Sequence, residues 1–249
     1  MKALSKPRLA LVAITLFATG GIAIKQYQQG QQARALAMPN EAVQQLRLDA
    51  KDGNARLLLE LATLGHPLAA RLIAERTDDK EMAAHWLEKS AEAGDQTARY
   101  LLGMAYLKGD SVPQDAQKAR LWFSGAGEMG IYRLGMMTLK GEGGSKDQAK
   151  GISMVEAAAK NNDAAAIYTL GNWYRYGDYV KQDNKMAISH YKQAANLQYV
   201  PALQELALAF EMGEMGLDIN PAQAHSLSKM AGHISHCKQD HSNKVMMFD

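Results

Sequence analysis

A Leu-Gly pair recurs along the chain at Leu102-Gly103, Leu134-Gly135 and Leu170-Gly171, with the glycines 32 and then 36 residues apart. Self-similarity at a period of roughly 20 to 50 residues marks a repeat array, in which each unit leaves an apolar face open for its neighbour to cover. Every copy splits into the same two halves. The first, ARYLLGMAYLKG at 98–109, carries apolar residues at helical spacing and ends on Gly109. A glycine there can take the left-handed conformation that closes a helix, and Gly177 ends a later copy in the same way. A short loop follows, with Val112 or Val180 as an apolar plug between units. Asp115, Asp147 and Asp183 come next, each placed to accept from the free N–H groups of a second helix. That second helix carries Ala119, Trp122, Phe123 and Ala126 in one copy and Ala187, Tyr191, Ala194 and Ala195 in another. Small residues let helices approach, and the aromatics fill the space between units.

A fourth copy begins at Pro201, where Ala202, Leu206 and Phe210 match Ala166, Leu170 and Tyr174 at an offset of 36. Upstream, WLEKSAEAGD at 86–95 matches a second half, HPLAARLIAER at 66–76 a worn first half, and residues 41–64 a further worn helix pair. The expected fold is all-α: an α-solenoid of about five antiparallel helix pairs over residues 41–235. One irregularity stands out. Trp86 to Gly103 and Met154 to Gly171 are both 17 residues, but Trp122 to Gly135 is 13. The four missing residues amount to about one helical turn. They fall at FSGAGEMGIYRLG, where Gly125, Gly127 and Gly130 crowd together, so a shortened helix pair and a local bend are expected there.

The N-terminus is of a different kind. Lys2, Lys6 and Arg8 precede an uncharged run, Leu9 to Ile24, which Lys25 closes. These 16 residues are long for the core of a signal peptide and short of the full span of about 20 residues. Residues 1–24 therefore read as a signal anchor or a signal peptide, with the basic flank held in the cytoplasm and the body exported. The expected location is a bacterial inner membrane, crossed once with the body in the periplasm, or the periplasm itself if the signal is cleaved. Residues 25–40, KQYQQGQQARALAMPN, read as a Gln-rich linker, and residues 236–249 as a C-terminal tail. His233, His236, Cys237 and His241 invite a metal reading, but their spacing is poor, and a solvated tail accounts for them. With one cysteine no internal disulfide can form.

The motifs of common chemistry are missing. There is no G-x-S-x-G, H-E-x-x-H, phosphate-binding loop or G-x-G-x-x-G, and the acidic loop at 110–115 lacks the calcium pattern. Glu88 with Glu92, and Glu211 with Glu214, sit at ordinary surface spacing. The formal charge of +2, without a Lys/Arg block interleaved with aromatics, gives no footprint for nucleic acid. Neither an enzyme nor a cofactor or metal is expected.

The pattern A-x-Y-x-L-G-x-x-Y-x-x-G-x-x-V-x-x-D-x-x-K-A-x-x-W-[YF] resembles the Sel1-like repeat, a relative of the tetratricopeptide repeat. It is carried by Ala98, Tyr100, Leu102, Gly103, Tyr106, Gly109, Val112, Asp115, Lys118, Ala119, Trp122 and Phe123, and again from Ala166 to Ala195. The repeat positions are Gly103, Gly109, Asp115, Trp122, Gly135, Asp147, Gly171, Gly177, Asp183 and Tyr191. The middle copy departs, with Gly144 for Val, Gly151 for Ala and Met154-Val155 for the aromatics. The resemblance covers roughly residues 54–232. It implies a right-handed superhelix of antiparallel helix pairs that binds a partner protein.

At 100° per residue, Ala166, Leu170 and Gly177 share the packing face of a first helix, with Trp173 and Tyr174 at its margins. The opposite face, concave in this type of solenoid, holds Tyr168, Asn172, Arg175 and Tyr176. Its upstream equivalents are Tyr100, Met104, Leu107 and Lys108, then Tyr132, Met136, Leu139 and Lys140. Gln204, Leu208, Glu211 and Met212 follow downstream. Aromatics and Met are favoured in interface cores. The candidate partner-binding residues are therefore Tyr100, Met104, Lys108, Tyr132, Met136, Lys140, Tyr168, Asn172, Arg175 and Tyr176. The expected role is a non-catalytic interaction scaffold facing the periplasm, an envelope adaptor or regulator. The alternative that the resemblance implies is an immunity protein neutralising a type VI secretion effector of the phospholipase type.

Overall fold

The structure, a computed structural model, describes residues 28–48 and 53–242. The signal segment at 1–24 lies outside them. All described elements are helical, and no strand occurs among the described residues. The chain divides into two compact units between Ile73 and Ala74.

The first unit contains helices α1 (28–36), α2 (Asn40–Leu48) and α3 (Gly53–Thr63) and most of α4 (Pro67–Ala74). Its buried residues include Ala35, Val43, Leu58, Leu61 and Leu72. Buried His66 links two turns: its Nδ1 accepts from Ala69 N–H at 3.3 Å, which leaves Nε2 to donate to the Met38 carbonyl at 3.1 Å. The Gln-rich stretch at 25–40 is not a linker throughout, because residues 28–36 are helical and Ala35 is buried. Gln, Ala, Arg and Leu all favour a helix.

In the second unit α5 (Lys80–Glu92) is followed by α6 (Gln96–Lys108), α7 (Ala116–Ser124), α8 (Glu128–Lys140) and α9 (Gln148–Lys160). Then come α10 (Ala164–Tyr176), α11 (Asn184–Asn196), α12 (Val200–Met212), a 3-10 turn at Glu214–Gly216, and α13 (Pro221–Ser242). Each helix packs on the next, so first helices (α6, α8, α10, α12) alternate with second helices (α5, α7, α9, α11, α13). In α5, α7, α9 and α11 one large slot is sealed: Leu87, Phe123, Val155 and Tyr191 are each 0% or 1% exposed. The companion aromatic Trp122 is only half-buried. The repeat glycines make room for these slots. A methyl group at Gly103 would lie 2.8 Å from the Phe123 ring, and one at Gly171 would lie 2.7 Å from Tyr191.

The first helices α6, α8, α10 and α12 all end on a left-handed glycine, from Gly109 (φ 75°) to Gly213 (φ 68°). The chain then returns by a fixed bond: Asp115, Asp147 and Asp183 donate their N–H to the carbonyls of Tyr106, Thr138 and Tyr174 at 2.8–2.9 Å. Their carboxylates cap α7, α9 and α11. Three further aspartate caps, Asp79, Asp95 and Asp163, begin α5, α6 and α10. The last copy, which lacks the loop aspartate, uses Asn220, whose N–H reaches Phe210 O at 2.7 Å and whose side chain accepts from Gln223 N–H.

The expected shortening at the four-residue deficit falls on α7. α7 has 9 residues where α5, α9 and α11 have 13. The turn after it depends on glycine: Gly127 has φ 62° with ψ −143°, and a methyl group at Gly130 would meet the Phe123 carbonyl oxygen at 2.1 Å. The C-terminal tail predicted at 236–249 is corrected for 236–242, because α13 continues through Gly232 to Ser242. One interior glycine costs only about 1 kcal/mol, and Leu227, Ala231 and Ile234 anchor the helix against the α11–α12 cluster.

Candidate partner-binding face

The outward residues of the first helices do not share one environment. Met104 is only 6% exposed and belongs to the core around Leu102 and Phe123, and Leu139 is likewise buried, so neither lines a surface. A first helix in the array touches its own second helix and the adjoining first helices, so a two-sided helical wheel counts too little of it as buried. Tyr100 and Met136 are half-buried against the same cores. Lys108 and Lys140 are exposed, and Lys140 lies 3.6 Å from Glu142.

Between α8 and α12 the face is built of tyrosines. Tyr132 OH is hydrogen-bonded to Thr169 Oγ1 at 2.9 Å, which joins α8 to α10, and the Arg133 guanidinium lies over the Tyr132 ring at 5.5 Å. Tyr168 packs its ring against Tyr191 at 5.6 Å and Tyr199 at 5.4 Å. Tyr191 OH donates to Asn172 Oδ1 at 2.7 Å. Burial raises the phenols of Tyr168 and Tyr199 above the ordinary tyrosine range and pushes Tyr191 up to about 12. These rings stay neutral and serve as packing and hydrogen-bonding groups.

Arg175 closes the face at the α12 end. Its side chain is 18% exposed, and Nη1 donates to Glu205 of α12 while Nη2 donates to Glu214 of the 3-10 turn at 2.6 Å. The guanidinium sits 5.2 Å from the centre of the Tyr176 ring. Two carboxylates and one ring thus fix a partly desolvated cation, as arginine's planar fork allows. Beside this clasp lies a cleft of about 380 Å³ lined by Tyr168, Gln204, Glu205, Leu208 and Glu211. Leu208 in its lining is exposed, and so are Tyr176 (62%) and Met212 at the ends of α10 and α12.

Of the candidates read from the sequence, the structure joins Tyr168 and Asn172 through Tyr191, sets Tyr176 on Arg175, ties Tyr132 instead to Thr169, and leaves Tyr100, Lys108 and Lys140 apart. Glu205 was not singled out and Glu214 was read only as a surface carboxylate beside Glu211: as partners of Arg175 they lie 30 and 39 residues away, beyond any local spacing rule. No group of three metal-ligating side chains occurs among the described residues, which exclude the side chains of Cys237 and His241. Among them also, no helix is long and apolar enough to cross a membrane.

Comparison with known proteins matches the array. A sequence model of the Sel1 repeat fits residues 74–95, 96–131, 128–163, 164–199 and 200–233. Among solved structures, a Sel1 repeat protein from Oxalobacter formigenes superposes with a TM-score of 0.62 at 23% identity, over 75% of this chain and 58% of that one. The protein c5321, a protective antigen of uropathogenic Escherichia coli with an SLR fold, gives 0.59 at 27% identity over 74% and 41%. Immunity protein Pa5087 from Pseudomonas aeruginosa gives 0.51 at 20% over 73% and 66%, a likeness of fold alone. The ERAD-associated E3 ubiquitin-protein ligase component HRD3B of Arabidopsis thaliana is 37% identical over 103 residues, 41% of this chain and 17% of that protein. The chain thus spans about a sixth of this curated relative and under two thirds of the first two structures.

Proposed function

The chain belongs to the Sel1 repeat family of protein-interaction scaffolds, and from that premise we propose that it is a non-catalytic scaffold holding a partner protein on its first-helix face, centred on the Arg175 clasp. The observation that carries this reading is the combination of order and exposure there. Tyr176, Leu208 and Met212 are exposed side chains on a framework already fixed by Arg175, Glu205, Glu214 and the tyrosine network. An aromatic ring already held against a fixed guanidinium loses little entropy on binding, and Tyr, Met and Arg are enriched in interfaces. We further propose that the body faces the periplasm, tethered to a bacterial inner membrane through Leu9–Ile24. The basic residues before that run and the lack of charge within it support this reading.

The test is affinity capture from the native envelope with the full chain and with a Tyr176→Asp, Met212→Asp double variant. Both positions are exposed, so the variant keeps its helicity, whereas Met136, packed against the core, is unsuited to an aspartate. A partner held by the wild type and lost from the double variant supports the assignment. An unchanged set of co-purifying proteins refutes it. Alkaline phosphatase fused after Ser242 tests the location: an active fusion supports export, and an inactive one contradicts it.

A narrower reading is an immunity protein for a type VI secretion effector of the phospholipase type. The proposed export signal and the fold shared with Pa5087 favour it. It requires that co-expression protect cells from an effector encoded beside this gene, and failure of every neighbouring toxin to be neutralised would leave the envelope adaptor.

A further inference from the structure

Two first helices in the array hold the first helix that follows. Tyr132 of α8 bonds Thr169 of α10, and Arg175 of α10 pairs with Glu205 of α12, while Tyr168 packs on Tyr199 at the start of α12. Thr169 and Glu205 are one repeat position, 36 residues apart, so the incoming helix is gripped at the same register both times. On α12 the gripping positions are Gln204, Leu208 and Glu211, each 36 residues after Tyr168, Asn172 and Arg175. At i, i+4 and i+7 they form one stripe of the helix. All three are exposed and line the cleft of about 380 Å³. Ser228 of α13 also lines it and is exposed, whereas Tyr191, which holds the same place in α11, is sealed. Among the described residues no first helix follows α12, so its gripping stripe is unused and the cleft is the seat that one more first helix would take.

Charge selects the occupant. The lining holds two carboxylates, Glu205 and Glu211, and no cation. Arg175 answers Glu205, but Glu211 makes no hydrogen bond or ion pair among the described residues. On α10 the gripping residue is the cation, Arg175, and the helix it holds supplies the carboxylate. On α12 the sign at that position is reversed, so the helix that sits there has to supply Lys or Arg. A second copy of the chain, docked on this face about a two-fold axis, would set Glu205 and Glu211 against the same carboxylates and be repelled.

We propose that the partner enters this seat as an amphipathic helix, which extends the array by one element and sets an apolar side chain on Leu208 and a Lys or Arg against Glu211. The inference rests on the first-helix face being the binding face and adds the chemistry of what binds there. Its test uses a displayed library of helical peptides, selected on the wild-type chain and counter-selected on Glu211→Arg, which installs the residue of α10 at an exposed position and so folds. The enriched peptides should carry Lys or Arg three or four positions from an apolar residue and gain helicity on binding by circular dichroism. They should lose about tenfold or more in affinity on Glu211→Arg and several-fold on Leu208→Asp. The proposal is overturned if no peptide discriminates wild type from Glu211→Arg, if the enriched sequences lack basic residues, or if they bind without becoming helical. A wild-type dimer in sedimentation that Leu208→Asp makes monomeric would overturn it in favour of a second copy. The captured partner separates this inference from the reading it rests on. A partner lost from the Tyr176→Asp, Met212→Asp variant but kept by Glu211→Arg with Leu208→Asp refutes the seat and leaves the face, whereas a partner kept by both variants refutes both.

Discussion

Replacing Gly171 by alanine separates the two roles a glycine can have in a helix. On intrinsic propensity the change should stabilise the chain by about 1 kcal/mol, since glycine is the poorer helix former. The structure predicts the opposite sign. The added methyl group would lie 2.7 and 2.8 Å from two carbons of the Tyr191 ring, which is fully buried and held by its bond to Asn172. Overpacking of this kind costs about 1–3 kcal/mol, so Gly171→Ala should be neutral to destabilising by about 2 kcal/mol. Tyr191→Ala alone should cost about 3–5 kcal/mol, the loss of a buried ring and its cavity. With the ring gone, the methyl group has space, and Gly171→Ala in that background should stabilise by up to about 1 kcal/mol. The four proteins form a double-mutant cycle with a coupling of about 1–3 kcal/mol. Urea unfolding followed by circular dichroism reads it directly. Equal effects of Gly171→Ala in both backgrounds would refute the claim that this glycine exists to admit the neighbouring ring.

Other consequences are as specific. Asp147→Ala removes the cap of α9 and should cost about 1 kcal/mol by urea denaturation, with Asp147→Asn restoring most of it. Arg175→Lys keeps the charge but loses the fork that reaches Glu205 and Glu214 together, so hydrogen exchange in α12 and the following turn should accelerate nearly as much as in Arg175→Ala. The phenol of Tyr191 is neutral in the fold, with its pKa raised from 10.0 to about 12. The resulting stability is fully present below pH 10 and is lost as pH rises towards 12, and Tyr191→Phe should flatten that part of the stability-pH curve.

Much of the array could be read from residue spacing because each unit satisfies local rules. The left-handed glycines, the Asp115, Asp147 and Asp183 caps and the missing turn after Trp122 all act within a few residues of themselves. Features that depend on distant neighbours were not legible in the same way. Met104 and Leu139 fall on the outer face of a helical wheel, yet both are buried, in clusters with Phe123 of α7 and Val155 of α9. The partners of Arg175 arrive from α12 and the 3-10 turn. Residues 28–36 and 236–242 look polar enough for coil, but their helix propensity and a few anchoring apolar positions decide otherwise.

The central claim is that a partner seats on the first-helix face beside Arg175. Site-specific photo-crosslinking in the native cell tests it most directly, with the reactive side chain placed at position 176 and, as a control, at Ser189 on the exposed side of α11. The account predicts a discrete adduct from position 176, absent from position 189 and abolished by Met212→Asp. No adduct from position 176, or the same adduct from both positions, would contradict it.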